Sequence, residues 1–212
     1  MTLKDGAATI DSAEVASQVA AIVLAAGLST RMGRNKLLLD VGGEPVVRRC
    51  VRVALAARLD PVLVVLGHDA DAVRGALAPL PCRFVMNARH ADGMNASVCA
   101  GIAALPPDVG AAVVLLADMP FVDVHMISTL MAQRRGGAAL ILSEYDGVVA
   151  PPTLVDRSLF ADMASEAGRG CAQRLRRRHP NRSASVKWSA AALADLDLPE
   201  DYERVKTRLM MA

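Results

Sequence analysis

Four short runs rich in apolar residues constrain what this chain can fold into. They are residues 20–24, 62–66, 83–86 and 111–117. Most are continuous stretches of Val, Leu, Ile and Ala, which is typical of strands buried on both faces. Helical patterns separate the runs, and each connection is long enough for a right-handed crossover between parallel strands. We therefore predict an α/β protein with one three-layer, doubly wound, mostly parallel sheet whose ligands bind at the carboxyl ends of the strands.

The rest of the chain has a less regular pattern. Beyond Pro120 the predicted elements are a helix at 124–135, a strand at 138–142, helices at 157–167 and 170–178, a strand at 185–188 and a helix from Pro199 to about Leu209. Residues 1–18 are polar and Ala-rich without a periodic face, which predicts a loosely ordered leader. The 212 residues, 53% of them hydrophobic, can bury a large core, so we predict a single domain at residues 19–212.

Charge and cysteine usage narrow the class of protein. The formal net charge of +2 gives no indication of a nucleic-acid partner. No cationic leader with an apolar segment precedes residue 20, and no apolar run approaches the ~20 residues that span a bilayer. The cysteines show neither a C-x-x-C pair nor zinc-ligand spacing; they are Cys50, Cys82, Cys99 and Cys171. We predict a cytoplasmic protein with reduced core cysteines and no membrane partner.

Residues 24–36, with the sequence LAAGLSTRMGRNK, join the first predicted strand to a loop with glycines and cations. Small residues let a ligand approach the backbone, and the hydroxyls and cations that follow suit a triphosphate. The spacing fits neither G-x-x-x-x-G-K-[ST] nor G-x-G-x-x-G. The alternative is an ordinary strand-to-helix turn. The residues predicted to bind a nucleotide here are Leu24, Ala25, Ala26, Gly27, Ser29, Arg31 and Lys36.

Asp118 directly follows the apolar run 111–117 and precedes Met119 and Pro120. This position exposes its carboxylate at the ligand-binding edge of the predicted sheet. One carboxylate suits Mg²⁺, which proteins commonly hold with one or two carboxylates, substrate phosphates and water. The alternative is that Asp118 caps the helix that follows.

The segment 24–36 resembles the signature L-A-[AG]-G-x-S-x-R-[MF]-G-x-x-K of the MobA-like nucleotidyltransferases. Its Ala25-Ala26 pair is similar to the molybdenum cofactor cytidylyltransferase branch, because the guanylyl branch usually carries two glycines there. The resemblance covers roughly residues 20–208. It implies a Rossmann-like nucleotide-diphospho-sugar transferase fold. It also implies transfer of CMP from CTP to a phosphorylated acceptor such as molybdopterin, with release of pyrophosphate.

The same resemblance implies which residues carry the chemistry. Asp118-Met119-Pro120 matches the family's metal-binding motif, and residues 195–201 resemble D-x-D-T-P-E-D with Leu198 in place of threonine. Asp197 is therefore expected as a second Mg²⁺ ligand, the alternative being an acidic cluster at a helix N-terminus. The expected catalytic residues are Arg31, Lys36 and Asp118, and because a phosphate nucleophile is already ionised, no general base is required.

Residues 87–101 resemble the family motif N-P-x-[WY]-x-x-G-M-x-x-S, with Ala88 and His90 replacing the proline and the aromatic residue. Three further nucleotide-binding candidates lie here, expected to bond a pyrimidine edge or to hold its loop; they are Gly93, Asn95 and Ser97. The alternative is a simple helix start. His68 and His90 are isolated histidines, for which we predict surface or capping roles rather than catalysis.

The acceptor side departs from the family pattern. Residues 168–173 resemble a shortened G-D-x-G-A-R, with Arg169 in place of the acid, and a base there favours a phosphate or carboxylate. One alternative function is a nucleotide-binding maturation or regulatory protein without turnover, and another is nucleotidyl transfer to a sugar phosphate or phospholactate. A molybdoenzyme or its chaperone is a candidate protein partner. The remaining arginines are predicted on solvated helix faces; they are Arg48, Arg49, Arg52, Arg174, Arg176, Arg177 and Arg178.

Overall fold

The computed structural model describes residues 18–28, 35–166, 170–194, 196 and 199–210. Within these residues, one sheet of seven strands has the order β3-β2-β1-β4-β6-β5-β7. The strands are β1 (Val19–Ala25), β2 (Val62–Leu66), β3 (Arg83–Met86), β4 (Ala111–Leu116), β5 (Leu140–Tyr145), β6 (Val148–Asp156) and β7 (Ser183–Trp188). Neighbouring strands are parallel except where β6 pairs with β4 and β5. The predicted mostly parallel sheet is confirmed.

Helices cover both faces of the sheet. They are α1 (Val46–Ala56), α2 (Ala70–Leu77), α3 (Met94–Ala103), α4 (Val124–Arg135), α5 (Phe160–Ser165), α6 (Cys171–Arg178) and α7 (Pro199–Met210). One core cluster joins α1, α2 and α4 to the sheet, and a second joins α3, α5 and α6 to its other face. This arrangement is the predicted three-layer architecture. No helix in the described ranges is both long and apolar enough to cross a membrane.

Strand β1 shows why the apolar runs do not alternate with polar residues. Ala21, Val23 and Ala25 belong to the first core cluster. Ala20, Ile22 and Leu24 belong to the second. Because successive side chains point to opposite faces, a strand covered by helices on both sides must be apolar at every position. Helix α3 packs so closely here that a Cβ on Gly101 would lie 2.4 Å from Ile22 Cγ2.

Strand β6 corrects the prediction for the second half, in which residues 148–156 carry no assigned element. Prolines disfavour strands because they lack the N–H of the ladder, but here Pro151 and Pro152 fall where the register between β5 and β6 shifts. Their carbonyls are used instead, since Ser143 Oγ donates to Pro152 O at 2.7 Å and Tyr145 Oη to Pro151 O at 2.8 Å. The bulge therefore accommodates both prolines.

Two further predictions concern the leader at residues 1–18 and the cysteines. The predicted leader at residues 1–18 lies outside the described residues apart from Gln18, whose carbonyl accepts Gly110 N–H at 3.0 Å. All four cysteines are free, as expected, but only Cys50 is buried. Of the others, which are half-buried, Cys82 and Cys171 pack against the two core clusters.

Candidate active site

The candidate site lies between the carboxyl ends of β1 and β4. These strands are parallel neighbours, with Leu24 opposite Leu116, and Ala117 N–H donates to Leu24 O at 3.1 Å just beyond the pair. The connection after β1 leads to β2 on one side of the sheet, whereas the connection after β4 leads toward β5 and β6 on the other. Open α/β sheets bind ligands in the crevice at such a reversal of strand order.

Lys36 reaches this crevice from a short 3₁₀ turn at Lys36–Leu38. Asn35 caps the turn, because its Oδ1 accepts Leu37 N–H at 3.0 Å, and its Nδ2 donates to Asp69 Oδ2 at 3.1 Å. Leu37 is buried and anchors the turn in the core. These contacts fix the backbone from which the Lys36 side chain extends.

The Lys36 ammonium contacts the Asp118 carboxylate, with 2.6 Å between Nζ and Oδ2 and side-chain exposures of only 13% and 18%. Partial removal from water strengthens such a charged contact relative to one on the surface. Buried neighbours hold Asp118 in place, since Ala117 and Met119 are 0% and 3% exposed. The structure therefore brings together a candidate phosphate-binding cation and a candidate metal-binding carboxylate.

Asp123, and not Asp118, caps the helix that follows. Its side chain accepts Met126 N–H at 2.8 Å at the start of α4. The capping alternative for Asp118 is therefore wrong, because the chain turns through Pro120 before the helix begins. Asp118 also influences Cys50, since burial raises the pKa of that thiol to about 12 and the Asp118 charge adds to the shift. Cys50 is consequently a neutral thiol and not a nucleophile.

The backbone of residues 24–28 lies at the edge of the sheet. Leu24, Ala25 and Ala26 are buried, so they would meet a ligand through their backbone groups. Gly27 is exposed, and among the residues that the structure describes none lies within 4 Å of a Cβ built on it. Packing against these residues therefore does not require a glycine at this position.

The loops after β1, β2 and β3 pack against one another. A Cβ on Gly67 would lie 2.6 Å from His90 Cβ and 2.9 Å from Ala26 Cβ. The His90 ring lies with Nδ1 3.2 Å from Asn87 O. These contacts agree with a local structural role for His90, as predicted from the sequence, and they fix the wall of the crevice beside Ala26.

The start of α3 holds the three candidates from the third predicted loop. Gly93 precedes the helix with a φ of +100°, a conformation that favours glycine. Ser97 is buried, and its Oγ accepts Asn87 Nδ2–H at 3.0 Å. Asn95 donates to Glu166 O, and its Oδ1 accepts no hydrogen bond within the described part of the chain. The hydrogen bonds of Ser97 and Asn95 hold the loop before α3 and the start of that helix in place. Recognition of a base by these residues stays a prediction.

Several arginines that were predicted to lie on solvated helix faces form hydrogen bonds with other segments of the chain. Arg49 Nε donates to Pro120 O at 2.9 Å, and Arg48 donates to Ala78 O. Each side chain donates to the backbone of another segment, so the prediction is wrong for them. Arg52, 63% exposed, fits it and pairs with Glu44 at 3.1 Å.

On α6, two arginines are likewise paired. Arg174 and Arg178 contact the Glu166 carboxylate at 2.7 and 3.1 Å, so the helix face they share is not simply solvated. Arg178 also contacts Asp162, at 3.2 Å, which extends the pairing from α6 to α5. These contacts fasten α6 to the end of α5.

Some predicted site residues cannot be placed. Ser29, Arg31, Arg169 and Asp197 lie outside the described residues. Among the residues that are described, no group of three His, Cys, Asp or Glu side chains is arranged to hold a metal ion. Asp118 is thus the candidate metal-binding carboxylate within the described part of the site.

Comparisons with known proteins show the family to which this chain belongs. The family described as the MobA-like NTP transferase domain matches residues 21–183. The purine catabolism protein PucB of Bacillus subtilis is 30% identical over 195 residues, which are 87% of this chain and 94% of PucB. The chain belongs to the MobA-like NTP transferase family and is a nucleotidyltransferase.

Other similarities are partial or structural. The bifunctional protein GlmU of Alkalilimnicola ehrlichii is 36% identical over 126 residues, covering 58% of this chain and 27% of GlmU, so the chain spans about a quarter of that relative. An rv0371c homologue from Mycobacterium sp. strain JC1 has a TM-score of 0.79 and 27% identity over 92% of this chain and 98% of that one. Rv0371c of Mycobacterium tuberculosis, solved in complex with manganese, has a TM-score of 0.74 and 24% identity over 90% and 98%. The predicted nucleotide-diphospho-sugar transferase fold is confirmed.

The residues whose hydrogen bonds hold the segments that carry the site were not identified from the sequence. Arg49 and Glu166 carry contacts to site-bearing segments, yet no motif singles them out. Arg49 lies next to the buried apolar face of α1, one position before Cys50. This position is the one sequence signal that could have indicated a partly buried arginine. Glu166 has no comparable signal, because its partners on α6 are eight and twelve residues away.

Proposed function

We propose that this nucleotidyltransferase transfers CMP from CTP to a phosphorylated acceptor such as molybdopterin and releases pyrophosphate. The Lys36 and Asp118 pair at the crevice between β1 and β4 is the observation that carries the proposal. A cation for the triphosphate and a carboxylate for a divalent metal ion are thereby held within contact distance. The Ala25-Ala26 pair supports CTP, because it is similar to the cytidylyltransferase branch of the family, whereas the guanylyl branch usually carries two glycines there.

The donor set fits a magnesium ion that arrives with a nucleotide. Asp118 offers hard carboxylate oxygens, and Mg²⁺ needs only one or two carboxylates when phosphates and water complete its octahedron. Asp197 is the second ligand we propose. The similar protein Rv0371c was solved in complex with manganese, which supports the use of a divalent ion. When bound, the ion would neutralise charge on the phosphates.

The residues of this chain contribute positioning and charge. Lys36, held on its capped turn, would move its ammonium from Asp118 to the triphosphate, and Arg31 would add a second cation. Backbone groups of residues 24–27 would approach the nucleotide, and no described residue lies within 4 Å of a Cβ built on Gly27. A phosphate of the acceptor then attacks the α-phosphate in line, and pyrophosphate leaves with the bonding electrons. The ionised nucleophile needs no proton removed.

A direct test is pyrophosphate release with each of the four nucleoside triphosphates, Mg²⁺ and molybdopterin. We expect release with CTP that requires both the acceptor and Mg²⁺, with EDTA-treated samples as the control. No release with any nucleotide, while CTP binding is retained, would favour the alternative of a nucleotide-binding protein without turnover. Release with a sugar phosphate or phospholactate in place of molybdopterin would keep the reaction and change the acceptor.

A further inference from the structure

Two consecutive residues of α1 hold the turn that carries Asp118 on both sides. Cys50 Sγ lies 3.7 Å from Leu116 O, two residues before Asp118. Arg49 Nε donates to Pro120 O at 2.9 Å, two residues after it. The contact of Cys50 is weak, because a thiol is a poor donor and this one is long. The contact of Arg49 is charge-assisted and short, and it therefore dominates.

Arg49 has no other hydrogen-bond partner within the described part of the chain. Its side chain is half-buried at the end of a groove of about 370 Å³, which is also lined by Glu44, Arg52 and Val124. Arg52 is on the same helix and the same groove, but it pairs with Glu44. The guanidinium of Arg49 is thus committed to the turn, whereas that of Arg52 is not.

We propose that Arg49 is a positioning residue for the metal-binding carboxylate: by holding Pro120 O, it sets the direction in which Asp118 meets a divalent cation. This inference rests on the proposed function, since it concerns the metal that accompanies the nucleotide. Proline fixes one backbone dihedral of the turn, but the carbonyl of Pro120 can still rotate. The hydrogen bond from Arg49 restricts that rotation, and with it the path of the chain from Asp118 to Pro120.

The sign of the effect separates positioning from simple electrostatics. A guanidinium near a metal site repels the metal ion, so deletion of its charge alone would tighten metal binding. Loss of a group that orients a metal ligand instead weakens metal binding, by about 10- to 100-fold for contacts of this kind. Removal of the Arg49 side chain therefore weakens metal binding if the residue positions Asp118, and tightens it if the residue acts only through its charge.

The experiment measures Mn²⁺ affinity by electron paramagnetic resonance of free Mn²⁺ for wild type, Arg49→Ala and Arg52→Ala, with the protein in excess over CTP and the same CTP concentration without protein as the reference. We expect Arg49→Ala to weaken Mn²⁺ binding by about 10-fold or more and Arg52→Ala to leave it unchanged. CTP affinity in EDTA is expected to stay the same in both variants. Unchanged or tighter Mn²⁺ binding in Arg49→Ala would overturn the inference, as would equal losses in both variants.

A second variant covers the case in which Arg49→Ala does not fold. Arg49→Lys keeps the charge and helix propensity but lacks the lateral Nε donor, so we expect a smaller loss of Mn²⁺ affinity in the same direction. Arg49→Lys binding Mn²⁺ as tightly as wild type, alongside an unfolded alanine variant, would mean that the Nε donor to Pro120 O is not needed and would overturn the inference. If wild type does not bind Mn²⁺ in the presence of CTP, the proposed function itself is rejected. If wild type binds Mn²⁺ and Arg49→Ala binds it equally well, only the inference on Arg49 is rejected.

Discussion

Lys36 Nζ lies 2.6 Å from Asp118 Oδ2, so the two residues expected to serve opposite charges of a metal–nucleotide complex contact each other directly. In the function we propose, this ammonium competes with a divalent cation for the Asp118 carboxylate. Phosphates that draw Lys36 away would then expose Asp118 to the metal ion. We propose that this exchange links nucleotide binding to metal binding through one side chain.

Lys36→Ala is expected to lower turnover by about 10²–10³-fold, because it removes one preorganised donor from a developing charge. The measurement is pyrophosphate release at saturating nucleotide. Lys187→Ala, which deletes an exposed lysine on β7, is the matched control and should retain full activity. Equal turnover of Lys36→Ala and wild type would rule out the role assigned to Lys36.

The same variant should bind Mn²⁺ more tightly than wild type when no nucleotide is present. Removal of the competing ammonium frees the Asp118 carboxylate, whose Oδ2 otherwise contacts Nζ. Titration of both proteins with Mn²⁺, followed by electron paramagnetic resonance, measures the difference. Weaker Mn²⁺ binding by Lys36→Ala would show that the lysine supports the metal site and does not compete with the metal for it.

Asp118→Asn is expected to abolish Mg²⁺-dependent pyrophosphate release while the melting temperature stays near that of wild type. The substitution keeps the size of the side chain and deletes the charge that a hard dication requires. Pyrophosphate release against Mg²⁺ concentration, measured for both proteins, checks it. Asp123→Asn is a useful control because Asn caps helices as well as Asp does, so the cap of α4 and the activity should both survive. Full activity of Asp118→Asn with unchanged Mg²⁺ dependence would reject Asp118 as a metal ligand.

The architecture follows from the sequence because it depends on local and periodic signals. Strands β1, β2 and β4 are apolar at every position, and a strand with that composition needs helices on both faces. Strand β6 was not predictable in the same way. Its two prolines contradict the usual strand pattern, and the bulge that accommodates them depends on how β5 pairs with it.

In the candidate site, too, local sequence signals indicate some features, whereas others depend on contacts between distant parts of the chain. Asp118 and Lys36 are predictable, because each stands in a motif directly after a strand or in the loop that follows one. Their direct contact is not, since it joins residues far apart in sequence and depends on the turn capped by Asn35. Ser97 differs: its motif position suggests either a contact to the base or a role in holding the loop, and the hydrogen bond that it accepts from Asn87 agrees with the second role while the first stays a prediction.

CTP is expected to bind at least about 10-fold more tightly than GTP, since pockets discriminate by size through steric misfit. Ala25 and Ala26 are 1% and 4% exposed, and Ala26 packs against Gly67, so these residues would act on the base through the backbone path that their packing fixes. Calorimetric titration of each nucleotide in the presence of Mg²⁺ provides the comparison. Ala25→Gly together with Ala26→Gly should narrow the difference. GTP binding as tight as CTP binding in wild type would overturn the expectation.

Gly101→Ala is expected to destabilise the fold by about 1–3 kcal/mol, because its Cβ would overlap Ile22 in the core between α3 and β1. Gly75→Ala on α2 is a matched control at a helical glycine whose Cβ would meet nothing within 4 Å. That control should gain about 0.5–1 kcal/mol from reduced backbone freedom. Urea unfolding of the three proteins measures both changes, and a Gly101→Ala protein as stable as wild type would contradict the close packing of α3.

Glu166→Gln is expected to lower the melting temperature at neutral pH but not in strong acid. Hydrogen bonds from Arg174 and then Arg178 hold the pKa of the Glu166 carboxyl below its usual range. A carboxyl whose pKa is lowered by folding stabilises the protein fully above its unfolded pKa of about 4.3, and that contribution disappears as the pH falls through the lower folded pKa. The difference in melting temperature between wild type and Glu166→Gln should therefore be constant from pH 7 down to about pH 5 and vanish below the folded pKa. Glu203→Gln, at an exposed position on α7, should show no difference at any pH. A difference for Glu166→Gln that persists unchanged in strong acid would mean that the ion pairs with α6 do not stabilise the fold.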